Sequence, residues 1–473
     1  MILKTHRYVL RAVIEFVTPF LIGAGREGEI SDSIFVSDAN RLPALPGSSI
    51  AGAVRSAFRA AYGQEEERRL FGFQEKQDGA GAMVSVSWGC ILDSKGLPVE
   101  GIADAKRLQD PVLLNARRPL IRDHVRINHR GASDAAEHGK FDEQAVSAGH
   151  RFIFEIELTG TEEDDASWDK LQRLLAEPSI RFGGKTRRGF GDFRFVQVMS
   201  RRFDLRREFD EYKKHPVSLA EPSGVLKRVE IERETSRNIL LTVKPLGYWM
   251  YGGGYDIKAD GKEADMAPFR DSRIVWTESG GKVSDSIAVI PATAIKGAIA
   301  HRVAFHYNAL KAVFADQLDV DELKNNCGEN NLAVRELFGY CAGEDNEQGK
   351  ESGHRGRVLL DDIFLTDEPS SQLVHHVGID RFTGGARDSV LFSERPFWKG
   401  ESIALSLAIT DIQGIKDAPH VLEALRLSLC DLAEGRLQIG AGSGRGLGYF
   451  QTDEKIHWPE ELSAITEGTA CQI

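Results

Sequence analysis

The sequence predicts an α+β protein made of two tandem domains, each with the element order β-α-β-β-α-β. Three observations support the prediction: a length of 473 residues, which accommodates two or three domains; signatures that occur twice in one order; and the same succession of strand and helix patterns in each half. The 41% of hydrophobic residues is enough to build cores in a chain of this length, which excludes general disorder.

The repeat is marked by glycine clusters that are paired between the two halves. A Pro-led turn occurs at 46–53 and 291–298, and a Leu-Phe-Gly tripeptide at 70–72 and 337–339. A His-Val pair occurs at 124–125 and 376–377, and an Arg-Gly pair at 188–189 and 445–446. Chance could produce one such match, but four in one order at similar offsets indicate a duplication.

The domain boundaries follow from a charged segment between the two copies. Residues 206–235 are rich in charge, contain two prolines and have no sustained apolar period, which is typical of a linker. We therefore predict a first domain over 1–205, a linker over 206–235 and a second domain over 236–473.

Each predicted domain has the same succession of elements. An opening strand precedes a Gly-rich loop, a helix after the Pro-led turn, two more strands, a second helix, and a Gly/Arg loop before the last strand. The predicted strands and helices lie at 8–17, 48–62, 83–92, 151–158 and 165–175, and again at 239–243, 293–308, 358–364, 402–409 and 421–434. This order is the split βαβ, or ferredoxin-like, arrangement.

Composition excludes several classes of protein. Five scattered cysteines without a Cys-x-x-Cys pair argue against a disulfide framework and a structural zinc site. No uncharged apolar run approaches the roughly 20 residues that span a bilayer. The N-terminus alternates charged with apolar residues, unlike a secretory signal. We expect a soluble, cytoplasmic protein with no membrane partner.

The net charge of −11, with a pI near 5.7, by itself opposes nucleic-acid binding, because Lys and Arg make most phosphate contacts. The basic residues are concentrated, however. Residues 181–207 contain nine Lys or Arg against two Asp, and residues 117–130 contain five Arg against one Asp. This distribution predicts a local basic face on an acidic protein.

The two Gly/Arg loops, 181–191 and 439–448, are the motifs most typical of such a face. Glycines let backbone N–H groups approach a phosphate, and interleaved basic side chains add charge. The candidate RNA-binding residues in these loops are Lys185, Arg187, Arg188, Gly444 and Arg445. The G-x-G-x-x-G pattern at 23–28 matches the dinucleotide fingerprint, but a strand-like continuation replaces the helix that this fingerprint requires.

Taken together, these signatures resemble the RAMP superfamily of CRISPR proteins, and within it the backbone subunits of type III effector complexes. The resemblance is most specific at 42–52, 379–386 and 443–448, and it covers nearly the whole chain twice. It implies two fused ferredoxin-like subunits that follow guide RNA through its backbone and insert a hairpin between guide and target. The implied partners are CRISPR guide RNA, target single-stranded RNA, and other RAMP and small subunits of the complex.

The resemblance also implies cleavage of target RNA, which some members of the family perform with one Asp in a loop after the first strand. Asp32 stands at that position in the first half. In the second half, Asp285 repeats the letters around Asp32, but Asp271 better matches the spacing of Asp, strand, turn and Pro-led motif, and we prefer Asp271.

The implied reaction is attack of a 2′-hydroxyl on the neighbouring phosphodiester, which leaves a cyclic phosphate. The Asp would act as base or anchor a divalent cation. Magnesium is the expected cation, although no dedicated metal motif is present in the sequence.

Guide contacts are implied at the helix that follows the Pro-led turn, where the N-terminus favours phosphate. Lys296 stands at the family's Lys position in the second half. The first half has Ala51 there, which leaves Ser48, Ser49 and Arg55 to contact the guide. The segment that resembles the inserted hairpin adds His124, Arg126 and Arg381.

Two other functions stay open. In the first, the chain is a non-catalytic structural subunit, and cleavage takes place elsewhere in the complex. In the second, the chain is a guide-processing endoribonuclease of the same superfamily. That activity commonly uses a His near the N-terminus, and His6 is available, but the duplicated backbone signatures disfavour it.

Overall fold

The computed structural model describes residues 4–23, 35–76, 78–125, 127, 139–253, 256–257, 263–340 and 353–466. The first domain contains, in chain order, β1 (His6–Phe16), α1 (Gly47–Tyr62), α2 (Gln64–Phe71), β2 (Phe73–Glu75), β3 (Asp78–Ala80), β4 (Val84–Val86), β5 (Cys90–Ile91), α3 (Pro111–Ala116), β6 (Leu120–Val125), β7 (Lys140–Ala145), β8 (Arg151–Gly160), α4 (Asp165–Leu175), β9 (Phe193–Asp204), α5 (Leu205–Tyr212) and β10 (Lys227–Val229).

The second domain contains β11 (Ile239–Pro245), β12 (Tyr248–Trp249), β13 (Asp256–Ile257), β14 (Glu263–Ala264), β15 (Arg270–Asp271), β16 (Ile274–Thr277), β17 (Gly280–Val283), β18 (Ile287–Ile290), α6 (Ala292–Leu310), α7 (Val320–Asn325), α8 (Leu332–Phe338), β19 (Gly339–Tyr340), β20 (His354–Arg355), β21 (Val358–Leu359), β22 (Ile363–Phe364), β23 (Val374–Ile379), β24 (Ala386–Glu394), β25 (Phe397–Trp398), β26 (Ile403–Ile409), α9 (Ala418–Ala433), β27 (Phe450–Gln451) and α10 (Glu460–Thr466).

Each domain is built on an antiparallel sheet, and the two sheets have matching strand orders. The first sheet runs β10-β9-β1-β8-β4, with β5 also paired to β8, and the second runs β21-β26-β11-β27. In both sheets the opening strand lies between the closing strand and the strand that precedes the second long helix. The helices α1 and α4 pack together on the first domain, and α6 packs on α9 in the second. The structure is therefore a mixed α/β chain with two similar domains.

Each domain has its own apolar core, and the first helix shows why. Ile50, Val54 and Phe58 recur every four residues along α1, so they form one buried stripe against the sheet. The second domain repeats this arrangement on α6 with Ile295 and Ile299. In the described part of the chain, no helix is both long and apolar enough to cross a membrane.

The segment expected to be a linker, 206–235, lies on the first domain and contributes structure to it. It contains most of α5 and all of β10, which pairs with β9 at the sheet edge. The buried Arg11 donates hydrogen bonds to the carbonyls of Pro216 and Glu221, each at 2.8 Å, and Arg233 donates to Glu177 at 2.7 Å. Composition identified the segment as charged, but it could not indicate that arginines hold its backbone against the domain.

Candidate RNA-binding surface and cleavage residues

The Gly/Arg loop of the first domain lies against the start of α6. We call this contact the interdomain joint, and it is formed by Arg122 together with residues 181–191, 292–296 and 355–362. Arg181 forms a two-pronged ion pair with Asp361, and Arg122 pairs with Asp362 at 2.5 Å. The Asp362 carboxylate also accepts the backbone N–H of Ala292 at 2.9 Å. Arginines of the first domain thus meet aspartates of the second.

The β16–β17 hairpin forms a second contact between the domains. The Trp276 indole N–H donates to the Gly149 carbonyl at 2.8 Å, and the Arg151 guanidinium stacks over the Trp276 ring at 4.1 Å. The Gly281 N–H donates to the Ser94 carbonyl at 2.7 Å. The hairpin therefore attaches the second domain to the first.

Several predicted RNA-binding residues have partners inside the joint. Arg187 donates to the Gly356 carbonyl, and burial lowers the pKa of Arg187 to about 9. The Lys296 ammonium donates to the Arg187 carbonyl at 3.1 Å and to the Phe338 carbonyl at 3.4 Å. Burial also lowers the pKa of Lys296 to about 8. The structure thus places Arg187 and Lys296 together between the domains rather than on an open face.

A buried glutamate brings three other predicted residues together at the base of the β6–β7 hairpin. Glu143 accepts hydrogen bonds from Lys185 and Arg188, and the His124 ring nitrogen lies 3.4 Å from it. Burial alone would raise the pKa of Glu143, but these three neighbours lower it to about 2. The ring of Phe141 stacks on His124 at 5.1 Å.

The second domain repeats this cluster at the base of the β23–β24 hairpin. Glu394 accepts from His376 at 2.8 Å and from Arg445 at 2.6 Å, and Phe392 stacks on His376 at 4.8 Å. Neither glutamate was predicted from the sequence, although Glu143 and Glu394 recur at matching places after the paired histidines. In each domain, the glutamate ties the hairpin to the Gly/Arg loop.

A cavity of about 430 Å³ opens beside the start of α1. It is lined by Ser48 and Ser49, by the loop glycines 183–184, and by Arg181 and Arg355 across the joint. Arg181 is only 5% exposed, and among the described residues its Nε has no hydrogen-bond partner. A buried N–H donor without a partner is costly, and this one belongs to a side chain that lines the cavity.

Arg55, Arg381 and Gly444 do not line this cavity. Arg55 pairs with Glu67 and donates to the Gly72 carbonyl at 2.8 Å, which directs it toward α2. Arg381 is exposed at the tip of the β23–β24 hairpin, beside Phe382. The exposed Gly444 lies in the second Gly/Arg loop, and Arg126 lies outside the described residues.

Asp271 does not occupy the place in the second domain that Asp32 has in the first. Asp38 donates its backbone N–H to the carbonyl of Leu42, which lies four residues before Pro46. In the second domain, Asp271 pairs with Ile287, which lies four residues before Pro291. Asp271 is therefore the counterpart of Asp38. The β16–β17 hairpin is inserted after Asp271, so counting back from the proline shifts the alignment on which the choice of Asp271 was based. Asp32 itself lies outside the described residues.

Asp271 is also buried, at 6% exposure, with its carboxylate 3.7 Å from Arg122. Burial raises the pKa of Asp271 to about 6. This carboxylate is thus enclosed beside the Arg122–Asp362 ion pair rather than exposed to a ligand.

The counterpart of Asp32 by position is Asp265, since each lies six residues before the equivalent aspartates Asp38 and Asp271. Asp265 is exposed, and its carboxylate accepts the Ser393 backbone N–H at 2.7 Å and the Ser393 hydroxyl at 3.0 Å. These two hydrogen bonds lower the pKa of Asp265. The repeated Asp-x5-Asp spacing was the sequence signal that could have identified it.

A family model of the RAMP superfamily matches residues 13–194 and 275–451. The chain belongs to the RAMP superfamily. Each of its two domains accounts for one of the matched regions. Among solved structures, the chain is similar to one chain of the "Cryo-EM structure of the Type III-B Cmr-beta bound to cognate target RNA", with 16% identity and a TM-score of 0.29. That match covers 41% of this chain and 60% of the other. No curated protein matches the chain.

Two further predictions concern catalysis: a divalent cation for cleavage, and His6 for the processing of precursor RNA. In the described residues, no group of three or more His, Cys, Asp or Glu is placed to hold a metal ion, so they do not fit a dedicated cation site. His6 is 1% exposed, and its ring contacts the Thr5 hydroxyl at 2.9 Å and Arg202 at 3.0 Å. A buried imidazole with two partners is poorly placed to process a precursor RNA.

Proposed function

We propose that the chain is a backbone subunit of a type III CRISPR ribonucleoprotein, in which two fused ferredoxin-like domains bind guide RNA through its phosphates. The observation that carries this proposal is the cavity beside α1. There, two serine hydroxyls, the backbone of 183–184 and the buried Arg181 guanidinium surround one opening. Target RNA and other subunits of the complex are the further partners that this proposal includes.

The start of α1 has the features that favour a phosphodiester. The helix is 16 residues long, follows Pro46 without a side-chain cap, and has no acidic residue in its first turn. Its N-terminal N–H groups and dipole therefore act on an anion without a competing carboxylate. Because Arg355 comes from the second domain, the bound phosphate would contact both domains.

The test is a titration of guide RNA onto the full chain at several salt concentrations. The Ser48→Ala/Ser49→Ala double variant is expected to weaken binding by at least about tenfold, since one hydrogen bond to a charged group contributes about 1.5–3 kcal/mol and each 1.4 kcal/mol is a factor of ten. Thr293→Ala is the matched control, because Thr293 follows the Pro-led turn of the second domain, where the joint covers the helix start. Equal affinity for the double variant and the unaltered chain would contradict the proposal.

The same proposal includes cleavage of the bound target RNA at two places, by Asp32 in the first domain and by Asp265 in the second. Asp265 is supported over Asp271 by its position and its exposure. The reaction is attack of a 2′-hydroxyl on the adjacent phosphodiester, with the carboxylate accepting the hydroxyl proton. A divalent cation stays a prediction from the resemblance, and we assign no step to it; loss of cleavage on chelation would test the need for it.

A non-catalytic structural subunit is the second candidate function. The burial of Asp271 favours it for the second domain, should Asp265 prove inert. Cleavage assays on complexes assembled with the aspartate variants separate the two candidates, as described below.

A further inference from the structure

Two adjacent histidines at the start of β23 lie on opposite faces of the β23–β24 hairpin, because successive side chains alternate along a strand. His376 is half-buried and bonded to Glu394, as described above. His375 is exposed, and within the described residues no hydrogen bond or ion pair involves its ring. One histidine is thus fixed by the fold, whereas its neighbour is left available.

The strand register places His375 beside the Asp265 site. His375 pairs directly with Ser393 across the hairpin, and directly paired side chains lie on the same face with Cβ atoms about 4.5–5.5 Å apart. Ser393 is the residue whose N–H and hydroxyl both donate to the Asp265 carboxylate. The three side chains therefore share one face.

The loop that carries Asp265 is attached to this same point of the hairpin. The Met266 N–H donates to the Ser393 carbonyl at 3.1 Å, and the Arg395 N–H donates to the Met266 carbonyl at 2.9 Å. His375 acts electrostatically on Asp265, and together with the Ser393 hydrogen bonds it lowers the pKa of that carboxyl. The exposed Asp265 carboxylate and the exposed His375 imidazole are thus held near each other by the backbone hydrogen bonds around the β23–β24 strand pair.

We propose that His375 is a second catalytic residue, which protonates the leaving 5′-oxygen while Asp265 accepts the proton of the attacking 2′-hydroxyl. This inference rests on the proposed cleavage function and extends it. The new bond joins the 2′-oxygen to phosphorus, and the phosphorus–O5′ bond breaks. One proton passes to Asp265 and one leaves His375, so the products are a 2′,3′-cyclic phosphate and a 5′-hydroxyl, with no further reactant.

The first domain does not have the same pair. Counting along the hairpins from the paired His124 and His376, the position of His375 is occupied by Asp123. An aspartate cannot replace an imidazole as the acid near neutral pH. The inference is therefore specific to the cut made by the second domain.

The test uses the complex assembled with guide RNA and a target whose second scissile linkage carries sulfur in place of the bridging 5′-oxygen. A thiolate leaves without protonation. His375→Ala is expected to slow cleavage of the ordinary target by roughly 10²-fold, the typical contribution of general acid catalysis, and to cleave the sulfur-containing target at close to the unaltered rate. Asp265→Asn should stay slow on both targets. His301→Ala, an exposed histidine on α6, is the control and should leave both rates unchanged.

The outcomes separate this inference from the function on which it rests. If Asp265→Asn abolishes the second cut but His375→Ala leaves it unchanged, the role of His375 is overturned alone. A slow His375→Ala complex that the sulfur substitution does not rescue overturns the acid role in the same way. If Asp265→Asn cleaves normally, the second cleavage site and the role of His375 fall together.

Discussion

The two helix starts that follow the Pro-led turns occupy equivalent places in the two domains but have different surroundings. The start of α1 opens into a cavity lined by Ser48 and Ser49, whereas the first domain's Gly/Arg loop covers the start of α6. Lys296 was expected to bind guide RNA, but its ammonium donates hydrogen bonds to the backbone carbonyls of Arg187 and Phe338. One copy of a duplicated motif therefore stays open at a cavity, while the other has become an internal contact.

The charges of the joint follow the same division. Arg122 pairs with Asp362 between the domains, but the residues at the equivalent places of the other domain are uncharged. By strand register, Val374 stands at the place of Arg122, since each pairs with the glutamate at the base of its hairpin. Trp88, 57% exposed, stands at the place of Asp362. The ion pair is therefore particular to the junction of the two domains.

The largest expected effect concerns the two aspartates that we propose cleave target RNA. In complexes assembled with end-labelled target RNA, Asp32→Asn should remove one cut and Asp265→Asn the other, each by roughly 10²-fold or more, because each removes a proton acceptor. Asp271→Asn is the matched control and should leave both cuts intact. If Asp271→Asn alone abolished the second cut, Asp271 and not Asp265 would be the counterpart of Asp32.

Removal of the ion pair at the joint should have the next largest effect. Arg122→Ala leaves Asp362 buried and unpaired, which costs about 3–5 kcal/mol in the free energy of unfolding. Urea unfolding of the full chain measures this cost. Val374→Ala, at the matched place in the second domain, should cost much less, because the side chain there is only half-buried. Equal costs would mean that the joint depends on packing and not on charge.

A smaller effect is expected from the pH dependence of Asp271. Burial raises its pKa from 3.8 to about 6, so the folded state favours the protonated form. Its contribution to stability is therefore full below pH 4 and is lost as the pH rises through 6. The neutral Asp271→Asn should stabilise the chain at pH 8 by about 2–3 kcal/mol, with no gain at pH 4. Destabilisation at pH 8 in urea unfolding would contradict this.

The sequence was sufficient for the duplication, the order of elements and the Gly/Arg loops, because these depend on local patterns that occur twice. It was insufficient where an insertion or a contact between domains decides the outcome. The β16–β17 hairpin displaced the alignment that selected Asp271, and the partners of Arg187 come from the other domain. Glu143 carried no signal by itself, since its role depends on basic side chains that meet only in the folded domain.

We propose that guide RNA contacts the start of α1 and not the start of α6. The most direct measurement is photo-crosslinking of a 4-thiouridine guide RNA to the chain within its complex, followed by mass spectrometry of the crosslinked peptides. We expect crosslinks within 46–56 and in the loop 181–185, with none within 291–300. Crosslinks at 291–300 without any at 46–56 would contradict it.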